Sequence, residues 1–237
     1  MRDFGREVAL AALEIKAIKL NTENPFQWAS GYRMPIYNDN RMFLFYPEYR
    51  KLIRNALKDI TDQLSFSVIA GTSTAGISPA TSLADHYGSP LIYVRDKPKD
   101  HGLRNQIEGI DAEEDLKGHY VLLIEDLIST GGSSAAAVQA IRDAKGVCDY
   151  CVSIFNYGLN VADDIFEGRS DFNNNGGRLQ GRCNVDSILS YDILLAIAKE
   201  EGYLKDRDVI ALEEWRANPF GWGEKKGFPR VVKKQFV

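Results

Sequence analysis

Residues 121–134 read Val-Leu-Leu-Ile-Glu-Asp-Leu-Ile-Ser-Thr-Gly-Gly-Ser-Ser. The four apolar residues Val121, Leu122, Leu123 and Ile124 predict a short strand buried on both faces, with the carboxylates of Glu125 and Asp126 where that strand ends. Ser129, Thr130, Gly131, Gly132, Ser133 and Ser134 follow, just ahead of a helix-forming run over 135–144. A small-residue loop between strand and helix exposes successive backbone N–H groups, and the helix start adds its positive dipole end, so the stretch predicts an anion cradle. Carboxylates beside such a cradle repel phosphate but accept hydrogen bonds from sugar hydroxyls or hold a hydrated cation. The ligand implied is a phosphorylated sugar. A solvated helix cap or an ordinary Gly-rich turn would also produce acids and glycines, but strand, acid pair, loop and helix fall in the order that the chemistry needs. No Gly-x-x-x-x-Gly-Lys-Ser/Thr occurs and no Gly-x-Gly-x-x-Gly opens a helix, which argues against a P-loop nucleotide hydrolase or a dinucleotide fold.

The flanking chain repeats the pattern. A short strand over 67–70 ends in Gly71-Thr72-Ser73-Thr74-Ala75-Gly76, a second Gly/Thr/Ser loop ahead of a helix over 77–87, and 90–94 is the next strand. This alternation predicts an α/β fold whose parallel sheet is flanked by helices, with both loops facing one cleft at the carboxyl ends of the strands. Toward the N-terminus, apolar spacing predicts an amphipathic helix over 5–20, a small hairpin over 26–37, and a helix over 47–64 with Pro47 in its first turn. Toward the C-terminus, a Gly/Asn-rich stretch over 167–184 reads as an exposed surface loop, and its part around Asn173 to Gly177 is expected to be dispensable. Helices are expected over 191–199 and 206–217, and Trp215, Phe220 and Trp222 are expected to pack as a cap. The expected organisation is one domain over 1–237: a small N-terminal hood over 1–45, a core over 46–160, the insertion over 167–184, and a helical cap over 187–237.

With 237 residues, 44% hydrophobic and 26% charged, the chain can bury a substantial core. Its net charge of -4 argues against a broad nucleic-acid-binding surface. No apolar run approaches ~20 residues and no signal-peptide core opens the chain, so the expectation is a cytoplasmic protein without membrane contact. Cys148-x-x-Cys151 has a redox or zinc spacing, but it lies in an apolar strand-like run and no second Cys/His pair completes it. Cys148, Cys151 and Cys183 are read as buried, inert thiols, and no protein metal cage is expected.

The 121–134 stretch resembles the phosphoribosyl-diphosphate binding motif of the type I phosphoribosyltransferases. The resemblance implies that Glu125 and Asp126 bind the ribose hydroxyls while Ser129, Thr130, Gly131, Gly132 and Ser133 wrap the 5-phosphate, with Leu127 and Ile128 also among the substrate-binding residues. The segment Arg95-Asp96-Lys97-Pro98-Lys99-Asp100-His101-Gly102 would ordinarily be a solvated charged loop. Its Arg-x-x-x-Lys-x-His-Gly pattern is similar to the catalytic loop of the orotate phosphoribosyltransferase family, with Arg95, Lys99 and His101 in the matching places. Ser30-Gly31 followed by Pro35 and Tyr37 resembles that family's N-terminal hairpin. These matches span residues 26–134, and weaker similarity continues to the C-terminus.

The family implies transfer of the phosphoribosyl group from 5-phosphoribosyl 1-diphosphate to orotate with Mg2+, giving orotidine 5'-phosphate and diphosphate in pyrimidine synthesis. Lys99, His101 and Asp126 are the implied catalytic residues, with Arg95 also on the diphosphate. The family further implies a homodimer whose cationic loop reaches the neighbouring subunit's site. Asp96 stands where many members carry a second basic residue, and Lys97 follows it. No arginine stands in Phe155-Asn156-Tyr157-Gly158, where many members hold the orotate carboxylate. That role is expected of the backbone N–H groups over 32–37, Tyr37 and Ser129. A transferase for another base and a non-catalytic regulator sensing phosphoribosyl diphosphate are the alternatives; the intact cationic loop and the lack of a helix-turn-helix signal weigh against the regulator.

Overall fold

The computed structural model describes residues 2–28, 30–96, 106–111, 114–173 and 176–231. The first helix, α1 (Phe4–Glu14), is capped by the Asp3 side chain, which accepts from the Arg6 N–H, and it buries Val8, Ala9, Ala11 and Ala12. It stops at Glu14 instead of continuing to residue 20. Lys16 takes a left-handed φ of 59°, and the next residues become an edge of the hood. There β1 (Ile18–Leu20), β2 (Phe26–Gln27), β3 (Arg33–Met34) and β4 (Ile36–Asn38) form two small antiparallel pairs, β1 with β4 and β2 with β3. A 3-10 turn over Asn40–Phe45 leads into α2 (Pro47–Thr61), which begins on Pro47 as expected.

The core follows as β5 (Val68–Thr72), α3 (Ile77–Tyr87), β6 (Leu91–Val94), β7 (Ile107–Glu108), β8 (Tyr120–Ile128), α4 (Gly132–Asp143), β9 (Val147–Asn156), α5 (Asn160–Phe166) and β10 (Asn184–Ser190). Strand order is β10-β9-β8-β5-β6-β7, and every pairing is parallel except that of edge strand β7. The expected parallel sheet flanked by helices is therefore present. Alternate strand residues enter opposite apolar layers: Ile69, Leu122 and Ile124 pack with α1, α2 and α3 residues such as Val8, Leu57 and Leu83. Val68, Ala70, Val121 and Leu123 pack with α4 and α5 residues such as Val138, Ile141 and Ile165. After β6 the chain returns past β5 to place β8 on its other side. Strand order reverses between β5 and β8, which is where ligands enter open α/β sheets.

The last helices are α6 (Tyr191–Glu200), α7 (Asp206–Ala217) and α8 (Trp222–Lys225). Trp215 is fully buried against Tyr157 and Trp28, Trp222 stacks on Phe228, and Phe220 packs on Tyr32. The three aromatic residues thus form the expected cap over the hood. Cys148, Cys151 and Cys183 are free and buried. The hydrogen bond with Cys183, together with burial, raises the Cys148 thiol well above its ordinary range, and burial does the same to Cys151. No helix among the described residues is long and apolar enough to cross a membrane.

Two further sequence expectations need correction. The strand does not end at the acid pair: β8 continues through Glu125 and Asp126 to Ile128, because β9 offers partners as far as Asn156. Nor is the 167–184 stretch simply exposed. Leu179 and Cys183 are buried in the apolar layer under α4, and the Arg142 guanidinium donates to the carbonyls of Gln180, Gly181 and Arg182.

Candidate active site

The acid pair lies within a strand, and its two side chains take different partners. Glu125 turns toward α4 and is 6% exposed. Its Oε1 accepts from the Thr72 hydroxyl at 2.6 Å and from the Asp126 N–H at 2.9 Å, and its Oε2 accepts from the Ser134 hydroxyl at 2.8 Å. Three donors compensate for the burial of this carboxyl group. Glu125 therefore ties both small-residue loops together.

Asp126 lines a cavity with Asn40, Arg41 and Ala75. The Asn40 side chain donates to the Asp126 carbonyl oxygen at 2.6 Å, fixing the backbone there. Burial, then the hydrogen bond to Glu125 and its negative charge, push the Asp126 carboxyl up to about 7, while Arg41 pulls weakly the other way. Arg41 itself is held in a fork by Asp39, at 2.6 and 2.9 Å.

Past the acids, the chain divides its side chains between two cavities. Leu127 and Ser129 line a cavity of about 360 Å³ with Trp28, Tyr37, Asn38 and Tyr157. The two residues proposed for the base, Tyr37 and Ser129, thus meet across one space. Both carboxamide atoms of Asn38 are buried without a hydrogen-bond partner among the described residues. Ile128 enters the core instead, with no exposed surface. Thr130, Gly132 and Ser133 line a second cavity of about 430 Å³, with Thr72, Arg95 and Phe172. Between them Gly131 takes a φ of 80°, a left-handed turn that favours glycine, and α4 starts at Gly132. The helix begins three residues before the expected 135, so Gly132, Ser133 and Ser134 supply first-turn N–H groups with no intrahelical acceptor.

Arg95, at the end of β6, reaches Glu108 at 3.4 Å, and its N–H donates to the Gln106 carbonyl. Lys99 and His101 lie outside the described residues, as does Lys97. Sequence reasoning missed Asn38, Asn40, Arg41 and Phe172. The first three lie in the run directly after Tyr37 and were recoverable from its polar composition; Phe172 carried no local signal.

Residues 44–156 match the phosphoribosyl transferase domain family. The chain is 42% identical over 222 residues to the orotate phosphoribosyltransferase of Cytophaga hutchinsonii, covering 93% of this chain and 99% of that protein. Its fold is similar to the crystal structure of orotate phosphoribosyltransferase from Aeropyrum pernix, with a TM-score of 0.63 and 22% identity over 84% of this chain and 99% of that one. It is also similar to Mycobacterium tuberculosis H37Rv orotate phosphoribosyltransferase in complex with 5-phospho-alpha-D-ribosyl 1-diphosphate, with a TM-score of 0.56 and 21% identity over 81% and 98% of the two chains.

Proposed function

Since the chain belongs to the orotate phosphoribosyltransferase family, we propose that the cleft between β5 and β8 carries out that reaction, with each cavity taking one part of the substrates. Orotate takes the phosphoribosyl group from 5-phosphoribosyl 1-diphosphate, giving orotidine 5'-phosphate and diphosphate. One observation carries the division of labour: Ser129 faces one cavity, Thr130, Gly132 and Ser133 face the other, and Asp126 lies directly before them. The 5-phosphate then sits on the N–H groups at the start of α4, the ribose hydroxyls on Asp126, and the base between Trp28, Tyr37 and Tyr157. Ser129, the unpartnered Asn38 carboxamide and hairpin N–H groups supply the polar contacts to orotate that the missing arginine would have made.

In the reaction the bond from carbon 1 to diphosphate breaks and a bond from carbon 1 to the ring nitrogen of orotate forms. Positive charge grows on the ribosyl ring and negative charge on the diphosphate. Asp126 stabilises the first. Arg95, with Lys99 and His101 from the segment outside the described residues, stabilises the second. Oxygen donors suit Mg2+, and the Asp126 carboxyl is a donor that a nearby cation would return to its ionised form. When bound, the ion neutralises diphosphate charge. The same reading includes a homodimer, for which the exposed Leu44 and Phe45 offer an apolar surface, and a cytoplasmic setting, in keeping with the three free cysteines.

The test is direct. Purified protein is mixed with 5-phosphoribosyl 1-diphosphate, Mg2+ and, in turn, orotate, uracil and adenine. Transfer to orotate is expected; faster transfer to uracil or adenine would overturn the reading.

A further inference from the structure

In the segment whose composition resembles a dispensable turn, residues 171–173 and 176–179 are folded onto the phosphate loop. Asp171 and Arg178 pair at 2.9 Å across its base. Within it, the Phe172 N–H donates to the Gly177 carbonyl at 2.6 Å, and the Gly177 N–H donates to Asn173 Oδ1 at 2.9 Å. Its root is held to α4: the Gln180 N–H donates to Gln139 Oε1 at 3.0 Å, and Leu179 is buried. At the top, the Phe172 carbonyl oxygen lies 2.8 Å from where a Cβ on residue 132 would be, so only glycine fits there with the segment in this position. Phe172 and Asn173 accordingly share one cavity wall with Thr130, Gly132, Ser133 and Arg95.

We propose that this strap, through Phe172, is part of the phosphoribosyl-diphosphate site and sets affinity for the 5-phosphate end of that substrate. The inference rests on the reading of the cleft given above. The physical basis is exclusion of water. An anion held by backbone N–H groups is bound more strongly when a wall removes solvent from its open side, because the local dielectric falls. Phe172 supplies that wall, and its anchoring to α4 moves it with the cradle rather than independently of it.

Two variants test the strap: replacement of residues 171–177 by Gly-Ser, and Phe172→Ala. The readouts are KM for both substrates, inhibition by ribose 5-phosphate and by inorganic diphosphate, and the melting curve. In the shortened protein, KM for phosphoribosyl diphosphate and the ribose 5-phosphate inhibition constant should each rise about tenfold, with orotate KM and diphosphate inhibition within about twofold. Phe172→Ala should move the same two constants in the same direction by a smaller factor. Unchanged constants in either well-folded variant, or equal losses for both substrates, would overturn the proposal. If the wild type transfers to no base, the reading of the cleft fails, and calorimetric binding of ribose 5-phosphate to wild type and variants still decides the strap.

Discussion

The Thr72 hydroxyl donates a 2.6 Å hydrogen bond to Glu125 Oε1, joining the two strands between which the sheet changes direction. Thr72 ends β5 and opens the first small-residue loop, whereas Glu125 lies in the strand that leads into the second. One buried carboxylate therefore sets the spacing of both loops. Thr72→Val should leave a buried acceptor short of a donor and cost about 1–3 kcal/mol. Ser134→Ala should cost a similar amount, and because both donors serve Glu125, the double variant should depart from additivity. Denaturant melts of the three variants check this; strictly additive losses would mean that Glu125 does not couple them.

Asp126 has the opposite character. Its folded-state value of about 7 exceeds the ordinary 3.8, so the folded protein holds this proton more tightly than the unfolded chain. The group's contribution to stability is full below about pH 4, declines as pH rises through 7, and then levels off. At roughly 1.4 kcal/mol per tenfold change in proton affinity, the decline is at most about 4 kcal/mol. Asp126→Asn resembles the protonated form, so it should abolish turnover yet gain about 1–3 kcal/mol at pH 8 and almost nothing at pH 4. A melting-temperature difference independent of pH would contradict this.

How far the site was legible follows from which contacts are local. The loop over 129–134, the second loop over 71–76 and their shared cleft were readable because strand, loop and helix signals lie within a few residues of one another. The separation of partners between Glu125 and Asp126 was not. It depends on β8 pairing with residues 153–156 of β9, some 28 positions away. The early end of α1 likewise depends on β1 finding β4. Phe172 was hidden for a third reason: a Gly/Asn-rich composition describes the turn and says nothing of the Leu179 and Cys183 anchors that fold it inward.

Base selection should show in the cavity between Tyr37 and Ser129. Orotate is expected to react at least about a hundredfold faster than uracil, which lacks the carboxylate, since a site built to hydrogen-bond a group rejects analogues without it. Ser129→Ala and Asn38→Ala should each raise orotate KM about tenfold and change uracil kinetics little. Variants that slowed both bases equally would remove these residues from carboxylate recognition.

Lys99→Ala and His101→Ala should each lower kcat about a hundredfold with smaller effects on orotate KM, the cost of removing one preorganised charge from a developing diphosphate. Near-normal turnover in both would dismiss the cationic segment as catalytic.

The most direct measurement is a crystal structure of the protein with 5-phosphoribosyl 1-diphosphate bound. The account requires the 5-phosphate within about 3 Å of the backbone N–H groups around Gly131 to Ser133, with a ribose hydroxyl donating to Asp126 and Glu125 still bonded to Thr72 and Ser134. A 5-phosphate bound away from the start of α4, or a ribose held by Glu125 with Asp126 uninvolved, would contradict it.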